Sequence, residues 1–153
     1  MLNPKDRYWV VVADSGRARI LEMRRKPYAC RLVTDYASAT RRRTSKELAS
    51  DASGRTYRAQ GPGTHALQPR SDPHEAAEAQ FTDDLARRVG QAAGQGRFER
   101  LALIADARTL GRLRRDLGKE LEDRVVEERP LDLTGLSLHD LEPRLRDILG
   151  WAA

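Results

Sequence analysis

The chain has a single cysteine, Cys30, in 153 residues. That excludes an intrachain disulfide and any cysteine-based metal site, and it makes a reducing cytoplasm the expected compartment. No apolar run reaches the roughly 18 residues a membrane-crossing helix needs, so no membrane partner is expected. The opening MLNPKDRYWVVVADSG holds a short apolar run without a small-residue cleavage site behind a long hydrophobic region, and it is not read as a signal peptide. No internal repeat is present. No Gly-x-Ser-x-Gly elbow occurs, Cys30 has no motif around it, and the glycines lack the Lys-Ser/Thr of a phosphate loop, which removes the common nucleophile and nucleotide-loop classes. Lysine is scarce: Lys5, Lys26, Lys46 and Lys119 stand against 24 arginines. This bias reflects base composition as readily as phosphate recognition, so the position of the basic residues matters more than their number.

What is present is a chain of one-domain length, 39% hydrophobic and 33% charged, with pI near 9.8. Residues 1–153 read as a single α/β domain. A basic balance of this kind favours an anionic partner, and the excess is local. The stretch 37–70, ASATRRRTSKELASDASGRTYRAQGPGTHALQPR, has no apolar period. It holds Arg41, Arg42, Arg43, Lys46, Arg55, Arg58 and Arg70 against Glu47 and Asp51, an excess of +5 that equals the net charge of the whole chain. Loops of about 30 residues without structure are unusual inside compact domains and are either functional or flexible solvated insertions, and this one is read as the working part.

Around this stretch the patterning is regular. Tyr8–Ala13 (YWVVVA) is β-rich and apolar enough for a central strand. Asp14-Ser15-Gly16 is a turn signal, and 17–23 alternates polar and apolar residues as the return strand of a hairpin. Pro27 ends it, and a third strand is expected over 31–36. After the basic stretch, Asp72-Pro73-His74-Glu75 starts a helix with a cap, a proline at the first position and a capping box. Its stripe is Ala77, Phe81, Leu85 and Val89, and Gly94-Gln95-Gly96 ends it. LALIA at 101–105 is a strand buried on both faces. Asp106 caps a second helix with Leu110, Leu113, Leu117 and Leu121 inward. RVVEE at 124–128 reads as an edge strand stopped by Pro130. Ser137 caps a last helix with Leu138, Leu141, Leu145 and Ile148 inward, and Pro143 should kink it or delay its start.

The order βββ-loop-αβαβα implies a mixed five-stranded sheet of ribonuclease-H-like type, three antiparallel strands followed by two parallel ones, with three helices. If strand one runs up, strands three, four and five also run up. Asp14, Asp106, the start of the basic stretch and the helix start at His74 and Glu75 then share one edge, the carboxyl end where open α/β sheets bind ligands. Two chemistries could use that edge. Asp14, Asp106 and Glu78 could converge as oxygen ligands for Mg²⁺ or Mn²⁺ in a nuclease or hydrolase. Each also has an ordinary job, in a turn, at a helix cap and against a helix N-terminus. Alternatively the stretch binds a polyanion. Arg41, Arg42 and Arg43 supply a cationic cluster, Gly61 and Gly63 allow close backbone approach to phosphate, and Tyr57 and His65 offer stacking rings. His139 reads as a surface or capping residue.

The segments VVADSGRARILEM, SGRTYRAQGPGTHAL with SDPHEAAEAQF, FERLALIADARTLGRLRRDL and LDLTGLSLHDLEPRL, in that order, resemble the bacterial family of proteins required for attachment to host cells. That family is similar to the middle domain of archaeal and eukaryotic peptide-chain release factors. There the corresponding loop carries Gly-Gly-Gln, which enters the peptidyl-transferase centre and positions a water. Here the matching place reads Ala59-Gln60-Gly61-Pro62-Gly63-Thr64-His65, with the glutamine ahead of the glycines and a proline between them. The comparison therefore implies contact with ribosomal RNA or tRNA without peptidyl-tRNA hydrolysis and without a cofactor. The contact residues would be Arg41, Arg42, Arg43, Arg55, Arg58, Gln60, Gly61, Gly63, His65 and Arg70. A third reading, a protein-interaction module for attachment to host cells, follows from the family's name.

Overall fold

The computed structural model describes residues 3–39 and 72–151. Five strands form one mixed sheet in the order β3-β2-β1-β4-β5. They are β1 (Tyr8–Ala13), β2 (Arg17–Arg24), β3 (Ala29–Ala37), β4 (Arg100–Ala105) and β5 (Val125–Pro130). β1–β2 and β2–β3 pair antiparallel, while β1–β4 and β4–β5 pair parallel. This is the expected ribonuclease-H-like arrangement. The helices are α1 (Pro73–Gly94), α2 (Ala107–Leu117), α3 (Lys119–Glu122) and α4 (Leu138–Leu149).

β1 sits in the middle because all six of its side chains are buried, and alternation divides them between two cores. Trp9, Val11 and Ala13 face Phe81, Leu85 and Val89 of α1 and Leu110 and Leu113 of α2. Tyr8, Val10 and Val12 face Leu141, Leu145 and Ile148 of α4. β4 repeats the division with Leu101 and Leu103 on the first side and Ala102 and Ile104 on the second. Each fully buried valine or leucine contributes about 1.5–3 kcal/mol. A polar residue anywhere in YWVVVA or LALIA would therefore break one of the two cores.

Four local expectations are corrected. Leu121 does not continue the α2 stripe: the chain breaks at Gly118, whose φ is +77°, and Leu121 reaches the core from the separate turn α3. Leu138 is exposed, because as the first helical residue it points away from the α4 stripe. α4 starts on schedule with Ser137 accepting from Asp140 N–H, and it runs on through Pro143. In α1, Asp72 accepts from His74 N–H at 2.9 Å, but Glu75 turns to Arg108 of α2 rather than back to the cap.

Candidate functional site

The ladder fixes the candidate edge. Ala13 pairs with Ala105 across the parallel β1–β4 ladder, so the next residues, Asp14 and Asp106, leave side by side at the carboxyl end of the two central strands. On the other side of β4, Pro130 of β5 lies opposite Ala105 in the β4–β5 ladder. At the other side, Ala37 of β3 lies opposite Arg17, and Ser38 N–H donates to Gly16 carbonyl at 2.8 Å. The N-terminus of α1 is at this edge too, since Glu75 reaches Arg108, two residues past Asp106, at 3.4 Å.

Asp14 is almost fully buried. One carboxylate oxygen accepts the N–H groups of Gly16 and Arg17, each at 2.8 Å, which builds the hairpin turn. The other oxygen lies 3.1 Å from the Thr134 hydroxyl, which also lies 2.6 Å from Asp132. With one hydrogen, Thr134 donates to one carboxylate at a time. Asp106 caps α2 by accepting from Thr109 N–H at 3.2 Å, and its Oδ1 is enclosed without a hydrogen-bond partner.

Glu78 does not join the aspartates. It is held at 3.4 Å by Arg112 and 3.8 Å by Arg108, so it ties α1 to α2. The helical wheel places it near the inward face correctly, but Arg112, itself largely buried, supplies the partner that the wheel cannot reveal. Among the described residues, no three His, Cys, Asp or Glu side chains are arranged to hold a metal ion. The site residues expected in the basic stretch, Arg41 through Arg70, lie outside the described residues. His74 is exposed in the first turn of α1, and His139 is exposed in the first turn of α4.

A second group at this edge escapes sequence reasoning. Arg17 forms a two-pronged ion pair with Asp35 at 3.0–3.1 Å and donates to Thr134 carbonyl at 3.2 Å. The bond to Asp35 raises its pKa above the ordinary arginine value. Arg19 is only 3% exposed and donates to the Leu136 and Thr134 carbonyls. Burial lowers its pKa, with the neighbouring Arg17 charge adding to the effect. The two arginines pull the connection between β5 and α4 over the end of the hairpin, where it also covers Asp14. The available signal was position: Arg17 and Arg19 alternate with Ala18 and Ile20, so they share the α4 face with Leu21 and Met23.

Among the described residues no helix is long and apolar enough to cross a membrane. No curated protein matches the chain. Two solved structures from Aquifex aeolicus align with it at low similarity. One, of the PPX-GPPA enzyme, has a TM-score of 0.41 and 12% identity. The other, of the type II variant of the Ppx/GppA phosphatase, has a TM-score of 0.40 and 13% identity. Each alignment covers 81% of this chain and 35% of the other, so the chain spans about a third of those proteins. Residues 9–145 match the family model described as "Protein required for attachment to host cells". The chain belongs to that family.

Proposed function

We propose that this member of the host-attachment family is a release-factor-like domain that binds ribosomal RNA or tRNA through the basic stretch 37–70, without hydrolysing it. One observation carries the reading: the described residues that flank the stretch meet at the carboxyl edge of the sheet. Ser38 is bonded to Gly16 there, and Glu75 at the start of α1 is paired with Arg108 there. That edge is where open α/β sheets gather their ligands, and the intervening residues carry the whole net charge of the chain.

The chemistry follows from residue type. Arg41, Arg42, Arg43, Arg55, Arg58 and Arg70 offer planar guanidinium groups that bind phosphate oxygens in pairs. Gly61 and Gly63 let the main chain approach a sugar–phosphate backbone, while Gln60 and His65 bring hydrogen-bonding and stacking groups. Without a Gly-Gly-Gln tripeptide, no group is supplied to position an attacking water. Binding of this kind releases counterions, with a slope of log affinity against log salt of roughly −0.7 per single-strand phosphate contact. Co-sedimentation with ribosomes across a salt series tests it. The pelleted fraction is expected to fall steeply with salt and to collapse in R41A/R42A/R43A. Salt-independent pelleting, or an unaltered triple variant, would refute the reading.

A divalent-metal nuclease or hydrolase is the second reading, favoured by the adjacency of Asp14 and Asp106 and by the unpartnered Asp106 oxygen. Its third intended ligand, Glu78, is engaged by arginine, and the described residues do not make up a metal-binding set. Incubating labelled RNA with Mg²⁺ or Mn²⁺ distinguishes the two readings. Intact RNA supports the binding domain, whereas metal-dependent cleavage lost in D106N would replace it.

A further inference from the structure

A second surface carries chemistry that the fold does not use. A groove of about 330 Å³ runs between α1 and the outer strands β2 and β3, with Ile20 and Val33 in its floor. Arg88, Gln91 and Gln95 line one wall, spaced so that they share one face of the helix, and Arg97 closes the end. The Arg88 guanidinium lies 4.3 Å from the centroid of the Tyr36 ring, and that of Arg97 lies 5.4 Å from the ring of Trp9.

Neither arginine has a carboxylate partner among the described residues. The nearby acidic groups contact other arginines. Asp83 and Asp84 pair with Arg87 at 2.7 and 3.1 Å. Glu22 accepts from Arg31 at 3.3 Å and from the Trp9 indole at 3.4 Å. The two guanidinium groups thus make no direct ion pair among the described residues and are held over aromatic rings, which reduces the ordering cost of binding an anion.

We propose that this groove binds a segment of single-stranded RNA, with phosphates on Arg88 and Arg97 and bases above the apolar floor. The amides of Gln91 and Gln95 stand between the two cations, where base edges would meet them. This rests on the RNA-binding reading and adds a second contact to it. At about 1.5 Å per residue, Arg88 lies about 22 Å along α1 from the helix start. An acidic peptide offers the same charge and would bind by ion pairing or as an added strand, and polyglutamate is therefore the competing probe. The ladder of the outer strand is broken there: Ile20 pairs with Thr34 and Leu21 with Leu32, which leaves Val33 as a bulge. The open strand edge is therefore a poor peptide template, and stacked arginines suit bases and phosphates.

The test is fluorescence anisotropy of a labelled 12-residue oligouridine at several salt concentrations, with polyglutamate as the competing probe. Circular dichroism verifies that each variant is folded. R88A/R97A is expected to weaken RNA binding about tenfold near 0.1 M salt and to reduce the salt slope by about 1.4, the share of two contacts. R88K/R97K preserves side-chain bulk and charge. It should retain the slope while losing part of the affinity, because lysine neither stacks nor forks. If R88A/R97A binds like the native chain while R41A/R42A/R43A is weakened, the groove proposal falls and the reading of the basic stretch stands. If R88A/R97A loses polyglutamate binding but retains RNA binding, the assignment to RNA is overturned. If the native chain pellets with ribosomes but does not bind the oligonucleotide, the groove proposal falls alone, and if it does neither, the RNA-binding reading falls and takes this inference with it.

Discussion

Cys30 is half-buried on β3, close to Tyr28 and Glu142, and burial with the nearby Glu142 charge pushes its thiol up to about 11. Only the thiolate is nucleophilic, so a rise of about two units should slow alkylation by iodoacetamide at pH 8 about hundredfold relative to a free thiol. A rate that continues to climb from pH 8 to pH 10.5 supports this, and an early plateau contradicts it. Glu99 shows the opposite shift. Its bond to Arg7, reinforced by Arg7 N–H at 2.7 Å, lowers its pKa below the ordinary 4.5. A depressed acid stabilises the folded chain above its unfolded value, and that contribution is lost as pH falls through the folded one. E99Q should therefore be less stable than the native chain at pH 7, by under about 1 kcal/mol because both side chains are substantially exposed. The difference should close below pH 4.5 in denaturant titrations. Partnerships of this kind were illegible in the sequence. Arg7 and Glu99 are 92 positions apart, and Arg19 and the Leu136 carbonyl 117. Nothing in local pattern joins them.

At the scale of elements, pattern was informative wherever a buried face repeats. The limits of β1 and β4 and the caps at Asp72, Asp106 and Ser137 follow from apolar period and capping chemistry alone. The errors fall where backbone conformation overrides side-chain pattern. The stripe Leu110, Leu113, Leu117, Leu121 reads as one helix, yet Gly118 interrupts it at φ +77°. Two glycines with open surroundings separate these effects. G118A meets no steric neighbour but forces φ +77° with ψ 178° on alanine, a region essentially reserved for glycine, and it should destabilise by about 1–3 kcal/mol. G90A, inside α1 and also with open space around it, should stabilise by about 0.5–1 kcal/mol because alanine is the better helix former. Thermal unfolding of the two variants should therefore shift in opposite directions. A destabilised G90A would contradict the open surroundings at that position.

At the scale of the molecule, the strand directions followed from the connections, since β3 returns to the direction of β1 and the α1 crossover brings β4 up the same way. That placed Asp14 and Asp106 together, but topology could not foresee that Glu78 would be drawn to Arg112. The same layout separates the groove from the residues that flank the basic stretch. The residues flanking the basic stretch lie at the carboxyl edge of the sheet, whereas Arg88 is in the far half of α1 and Arg97 follows its end. If the two sets of arginines hold different phosphates, their contributions should add. Three arginines from the stretch and two from the groove would account for roughly 2.1 and 1.4 units of salt slope respectively. A chain carrying R41A, R42A, R43A, R88A and R97A should then lose about 3.5 units in the oligouridine titration. A smaller loss would mean that the two regions compete for the same phosphates rather than holding successive ones along one strand. A 6-residue oligouridine should separate these cases further: a strand too short to reach both regions would make each set of substitutions insensitive to the other.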